Sequence, residues 1–126
     1  IWPQAIEMIK ENWLWGVGVG NSMDALQDRY KEIGFEKGAK NKFNAHNQFL
    51  ESFLQVGIFG LLTLLSILFF SFRLAIKNQS VIYFIFLSNI CFYMIIESLF
   101  ETQMGMVAFA FFNALFISSV NDESQP

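Results

Sequence analysis

The sequence predicts an all-α integral membrane protein in which about three transmembrane helices follow an extracytoplasmic segment of short helices. Hydrophobic residues make up 54% of the 126 residues and charged residues only 15%, which is more apolar than an ordinary soluble domain. Three stretches lack Asp, Glu, Lys and Arg altogether, and after residue 43 the only Lys or Arg residues are Arg73 and Lys77. The chain therefore divides into a polar first part and an apolar second part.

Residues 1–51 are predicted to form short helices outside the membrane. Apolar residues recur at helical spacing from Trp2 to Trp13, and Pro3 suits a first turn, so a helix on the membrane surface or in a core is expected. A glycine-rich turn at 16–20 precedes a second helix that ends at Gly34. An exposed loop is expected at 34–44. Asn44 is then expected to cap a helix that carries residue 46 in its first turn and runs into the first span.

The three charge-free stretches are predicted to be transmembrane helices at about residues 52–72, 78–96 and 102–121, followed by a polar cytoplasmic tail at 122–126. Each is close to the ~20 helical residues that cross a hydrocarbon core. Helices are expected because backbone polar groups in lipid must be paired within the segment. Arg73 and Lys77 favour the cytoplasmic side for the first loop between spans, whereas the loop 97–101 carries no cation. Residues 1–51 are therefore expected to be extracytoplasmic.

The chain begins at Ile1 without a basic leader and cleavage site, so a fragment of a longer protein is expected.

Composition argues against several classes of site. Cys91 is the single cysteine, and no cluster of Cys and His occurs, so neither an internal disulfide nor a metal or other cofactor is expected. A net charge of -3 without a basic stripe argues against nucleic acid as a partner.

The densest group of polar side chains, at 45–51, surrounds the only histidine, His46. A helix amino terminus disfavours a positive imidazolium, so His46 is expected to be neutral at pH 7 and able to accept a proton from a hydroxyl as a catalytic base. The alternative is an interfacial or capping histidine whose ring bonds to a carbonyl group. Asn47 and Glu51 are four residues apart on one helical face. Both are candidates for substrate binding, although Glu51 is equally typical of a solvated residue at the edge of a span.

Other polar residues have a functional and a structural interpretation. Arg29 is a candidate for substrate binding because a pyrophosphate attracts such cations, but cations of this kind commonly only solubilise a loop. Glu97 and Glu101 could pair with a cation from another part of the protein or handle protons, although solvation at the interface is the commoner explanation. The glycines at 16, 18 and 20 have the wrong spacing for a dinucleotide site. A tight turn is expected there, with phosphate contact through backbone N–H groups as the alternative.

Three segments occur in an order and spacing that carry a family resemblance: I-K-E-N-W-L-W-G-V-G-V-G-N at 9–21, A-H-N-Q-F-L-E at 45–51 and G-I-F-G-L at 57–61. Together they resemble the O-antigen ligase/polymerase family over almost the whole chain. The sequence departs from the family pattern at Trp13, where members often carry proline ahead of the glycine turn. Tryptophan at this position can still anchor at a membrane interface.

The resemblance implies a metal-independent, inverting C-type glycosyltransferase of the bacterial inner membrane, with its active side extracytoplasmic. Its donor would be a polyprenyl-pyrophosphate-linked glycan. Its acceptor would be a hydroxyl of a sugar, a lipid core or a protein, so ligase and polymerase activities both remain open. By that resemblance His46 binds or deprotonates the acceptor hydroxyl. Members usually also carry an arginine just upstream of the segment that begins this chain, a position that Arg29 does not occupy, so the fragment alone is expected to be inactive.

Two other classes are compatible with an apolar helical chain. A secondary transporter would place broken spans and buried charges near the membrane midplane, whereas the charges here flank the predicted spans. A non-catalytic membrane scaffold fits the composition but leaves the polar neighbourhood of His46 without a purpose. The glycosyltransferase is therefore the leading hypothesis.

Overall fold

The computed structural model describes residues 1–123, and the side chains of residues 1–120. Its elements are α1 (Trp2–Glu11), α2 (Ser22–Glu32), α3 (Glu36–Lys40), α4 (Gln48–Lys77), α5 (Val81–Ile96), a short 3-10 helix (Leu99–Glu101) and α6 (Gln103–Glu123). Every regular element in this part of the chain is helical, so the predicted all-α class is confirmed. The predicted tail at 122–126 begins inside α6, and residues 124–126 lie outside the described residues.

Helices α1 and α2 pack against the first turns of α4 around one small core, and α3 packs on α2. The fully or almost fully buried members of this core are Ala5, Met8, Ile9, Leu26, Tyr30, Ala45 and Leu54. Pro3 stands in the first turn of α1, as predicted, where its missing N–H costs no helical bond. The side of α1 that carries Met8 and Ile9 faces the core, while Trp2 and Ile6 stay exposed. The front segment is therefore a packed domain of short helices.

The expectation of an exposed loop at 34–44 is wrong in part, because this segment contains α3. Gly34 follows the end of α2 with a left-handed φ of +71°, as a glycine after a helix commonly does. The ring of Phe35 then packs edge-on against Tyr30, with the ring centroids 5.4 Å apart. Gly38 is buried beneath the Phe35 ring. This aromatic contact draws a lysine-rich segment onto the core, which its polar composition does not indicate.

Helix α4 is interrupted at Gly57, which has φ +67° and ψ -155°. This backbone conformation is essentially restricted to glycine. Three backbone hydrogen bonds join the interruption to the turn after α1: Val17 N to Leu54 O (2.8 Å), Gly18 N to Gln55 O (2.9 Å) and Ile58 N to Trp13 O (2.9 Å). The glycine-rich turn is therefore a tight turn, as predicted, and two of its N–H groups are already bound to α4.

Two described helices, Gln48–Lys77 and Gln103–Val120, are long and apolar enough to cross a membrane. After the interruption at Gly57, α4 continues for ~20 residues, or about 30 Å, which matches a hydrocarbon core. The 16-residue helix α5 is shorter than the predicted span 78–96 and reaches only ~24 Å. Two of the three predicted spans thus have the expected length, and the membrane crossing of all three helices stays a prediction.

The three apolar helices share a polar contact at Asn113 in α6. Its side-chain oxygen accepts hydrogen bonds from the Tyr83 hydroxyl (2.6 Å) and the Ser71 hydroxyl (3.3 Å), both of which belong to buried residues. A side-chain hydrogen bond between membrane helices contributes about 0.6 to 2 kcal/mol. Asn113 therefore joins α4 and α5 to α6.

Replacing Asn113 with alanine is expected to lower the stability of the protein in detergent by about 1–2 kcal/mol, because two buried hydroxyls lose their acceptor. The fraction that remains monodisperse after heating would measure the loss. Asn89→Ala is the matched control, since the exposed Asn89 amide donates to the Ile85 carbonyl of its own helix. Equal survival of the two variants would contradict a stabilising role for Asn113.

Candidate functional site

The structure corrects the start of α4. Asn47 caps this helix, with its side-chain oxygen accepting from the N–H groups of Phe49 and Leu50, both at 3.0 Å. Asn44 accepts from the backbone N–H of His46 instead, at 2.9 Å. The prediction that His46 lies in the first helical turn is therefore wrong, because the second of two nearby asparagines is the cap. His46 lies in the loop just before the helix.

His46 has a left-handed backbone, with φ +46°. This conformation is uncommon for a residue with a side chain and costs of order 1–3 kcal/mol, so it persists only where the surroundings enforce it. Such strain clusters at functional sites. The imidazole also packs edge-on against Phe43, with the ring centroids 5.8 Å apart. Both the backbone and the ring of His46 are thus held in one arrangement.

The His46 ring pairs with Glu97, which follows the end of α5. Nδ1 lies 3.0 Å from one carboxylate oxygen of Glu97 and 3.2 Å from the other. An ionised carboxylate can only accept, so in the neutral ring Nδ1 carries the hydrogen and Nε2 keeps its lone pair. Both side chains are a little over one third exposed (39% and 36%), which leaves the ring accessible. Glu97 thus has a partner within the chain, the His46 ring, while the predicted pairing with a cation and a role in proton handling stay predictions.

Asn47 fastens the His46 loop to the end of α5. Its backbone N–H donates to the Ser98 hydroxyl (3.2 Å), and its side-chain nitrogen donates to the Ile95 carbonyl (2.9 Å). Since its side-chain oxygen caps α4, every polar group of this side chain is used inside the protein, and the residue is only 8% exposed. A direct contact of Asn47 with substrate stays a prediction, and it would require one of these bonds to open.

Glu51 lies beneath the His46 loop and is 1% exposed, so its interpretation as a solvated residue is wrong. One carboxylate oxygen accepts from the Ala45 N–H (3.2 Å) and the other from the Gln55 side-chain amide (3.1 Å). Glu51 precedes the interruption of α4 and the predicted span 52–72. Burial raises the pKa of the Glu51 carboxyl, the Ala45 hydrogen bond opposes this, and the nearby Glu101 carboxylate adds to it. The site thus contains a buried acid under the loop of its histidine.

Arg29 is engaged by three carboxylates. Its guanidinium lies 3.2 Å from Glu7, 3.3 Å from Glu11 and 3.5 Å from Glu32. The pairs with Glu7 and Glu11 join α2 to α1, and the pair with Glu32 lies within α2. Together they occupy both terminal nitrogens that a phosphate would use. A pyrophosphate contact by Arg29 stays a prediction, and it would compete with these carboxylates.

Two glutamines of α4 to which the sequence assigned no role, Gln48 and Gln55, hold the segment 98–101 against the site. The Gln48 side-chain oxygen accepts from the Phe100 N–H (2.6 Å), and the Gln55 side-chain nitrogen lies 2.5 Å from a Glu101 oxygen. A polar stripe at 48, 51, 52 and 55, on one face of an otherwise apolar helix, was the available sequence signal. Within the described residues, no three His, Cys, Asp or Glu side chains are arranged to hold a metal ion.

Comparison with known proteins identifies the family of the first half of the chain. The O-antigen ligase family matches residues 1–65, which is more than half of the chain. The matched part contains the glycine-rich turn, the His46 loop and the interruption at Gly57, and therefore the contacts described above between the first helices and α4. No curated protein and no solved structure matches the chain significantly. The chain belongs to the O-antigen ligase family.

Proposed function

We propose that this chain is part of a membrane glycosyltransferase that moves a glycan from a polyprenyl-pyrophosphate donor to an acceptor hydroxyl. The observation that supports this most strongly is the pairing of a strained, accessible histidine with a carboxylate. Membership of the O-antigen ligase family supports the proposal independently. The acceptor is a sugar, a lipid-core or a protein hydroxyl.

His46 is the general base in this mechanism. With Nδ1–H donating to Glu97, the Nε2 lone pair can accept the proton of an acceptor hydroxyl. The acceptor oxygen forms a bond to the anomeric carbon from the face opposite the donor's pyrophosphate. The bond from that carbon to the phosphate oxygen breaks, and polyprenyl pyrophosphate leaves with the electron pair, so the anomeric configuration inverts.

Glu97 has two effects in this step. It fixes the direction of the imidazole, and its negative charge stabilises the imidazolium that forms once the acceptor proton has moved. Glu97 acts through His46 and does not contact the acceptor, so it is a positioning residue. Pyrophosphate binding is assigned to cations outside the His46–Glu97 pair, with Arg29 as the candidate within this chain.

The proposed topology places the His46–Glu97 pair on the extracytoplasmic side of the bacterial inner membrane. Arg73 and Lys77 lie at the opposite end of α4 from His46, and cations in short loops favour the cytoplasm. A lipid-linked donor in the outer leaflet would then reach the pair from the bilayer. Activity is assigned to the full-length protein, with this chain supplying the histidine.

Glu97→Gln tests this function in the purified full-length protein, supplied with a lipid-linked glycan and an acceptor. Glutamine keeps the shape and can still accept from Nδ1–H, but it cannot balance the imidazolium charge. We expect the wild type to form glycosylated acceptor and free polyprenyl pyrophosphate, and the variant to show a kcat about 100-fold lower. Exposed Glu36→Gln is the control. A wild type without transfer activity, or a Glu97→Gln variant equal to the control, would refute the proposal.

A further inference from the structure

The backbone of the His46 loop is held by side chains from both sides of the site. Three successive backbone N–H groups each donate to a side-chain oxygen: Ala45 to Glu51 (3.2 Å), His46 to Asn44 (2.9 Å) and Asn47 to Ser98 (3.2 Å). No helix or strand supplies these bonds. The loop conformation therefore depends on the three acceptors.

Glu51 is the only charged acceptor of the three, and it is as deeply buried as Ser98. It is 1% exposed, and burying a carboxylate is unfavourable unless hydrogen bonds compensate. Gln55 donates to its second oxygen. The Ala45 N–H and the Gln55 amide are both donors, as an ionised carboxylate requires. The buried carboxylate therefore stabilises the backbone of the His46 loop through its bond with the Ala45 N–H.

The strained backbone at His46 depends on the hydrogen bond between the Ala45 N–H and Glu51. A residue with φ +46° that is not glycine relaxes toward a more extended backbone unless neighbouring contacts prevent it. The Ala45 N–H lies directly before this strained position. Loss of its acceptor would free the backbone to rotate and would carry the imidazole away from Glu97.

We propose that Glu51 is a positioning residue for transfer, whose buried carboxylate fixes the Ala45–His46 backbone so that the imidazole stays on Glu97. The inference rests on the proposed function of His46. It also replaces the predicted substrate-binding role of Glu51, because both carboxylate oxygens are used beneath the loop. Glu51 therefore acts on kcat through geometry, without contact with substrate.

Two conservative variants of the full-length protein distinguish the effect of side-chain length at position 51 from the effect of its negative charge. Glu51→Gln keeps an oxygen at the right distance for the Ala45 N–H, whereas Glu51→Asp keeps the charge but is one methylene too short. We expect Glu51→Asp to lower kcat by about 100-fold with nearly unchanged KM values, as a misplaced catalytic group does. Glu51→Gln should stay within ~5-fold of the wild type. Glu36→Gln, an exposed change in α3 outside the site, is the control and should keep the wild-type kcat.

Hydrogen–deuterium exchange at residues 45–47 in lipid nanodiscs provides a readout that does not depend on activity. Exchange should accelerate in Glu51→Asp and stay slow in Glu51→Gln, with the rest of α4 unchanged in both. Equal exchange in Glu51→Asp and wild type, the reverse order of the two variants, or a raised KM at constant kcat would overturn the proposal. If the wild type transfers no glycan, the proposed function fails, while the exchange data still decide whether Glu51 holds the loop.

Discussion

His46→Ala is expected to lower the kcat of glycan transfer by 10²- to 10⁴-fold, the range by which a positioned general base accelerates a reaction. Alanine removes the only imidazole in the chain, and Glu97 cannot replace it because its carboxylate is held near the Ser98 N–H (3.1 Å). The KM for the donor should change little, since the base contacts the acceptor. Steady-state kinetics of the full-length protein in nanodiscs would measure both parameters.

The control for this variant is Lys42→Gln, an exposed change in the same loop region. It should leave kcat within ~2-fold of the wild type, as surface substitutions away from a site usually do. A His46→Ala protein that keeps the wild-type kcat would show that the histidine is an interfacial residue. A higher donor KM at unchanged kcat would instead assign His46 to donor binding.

Gly57→Ala is expected to produce the largest loss of stability, about 3 kcal/mol or more. Alanine disfavours φ +67°, and its Cβ would collide with the Leu14 carbonyl, so the turn at 13–18 could not stay on α4. The three backbone hydrogen bonds at the interruption would then be lost. The yield of monodisperse protein and its survival after heating in detergent would measure the effect.

Gly20→Ala is the matched control for this substitution. No atom lies within 4 Å of the position that a Cβ would take at Gly20, and its backbone is not left-handed, although it belongs to the same glycine-rich turn. This variant should fold like the wild type. If Gly57→Ala proved as stable as Gly20→Ala, the docking of the turn on the helix interruption would not be what holds the front segment to α4.

The helices of this fold were predictable where the signal was local. Charge-free runs located the three apolar helices, and apolar spacing located α1 and α2. The interruption at Gly57 was not predictable, because the groups that pair with it lie about forty residues earlier, in the turn at 13–18. A glycine inside an apolar run is compatible with a continuous helix until such a distant partner is known.

The sequence indicated candidate residues but not their contacts. The polar cluster at 45–51 singled out His46 as a candidate, and Glu97 was noted as an acid without a known partner. Their contact joins segments 51 residues apart, which no local spacing reveals. The burial of Glu51 was missed for the same reason, since the loop that covers it folds back only because Asn47, rather than Asn44, caps α4.

The most direct test of the account is glycan display in cells that lack the full-length protein, rescued by wild type or by His46→Ala at matched membrane abundance. Gels of the cell-envelope polysaccharide and the level of lipid-linked donor would be measured together. The account predicts that wild type restores long or capped glycan, and that His46→Ala fails to do so while the donor accumulates. Full rescue by His46→Ala, or unchanged glycans with wild type, would contradict it.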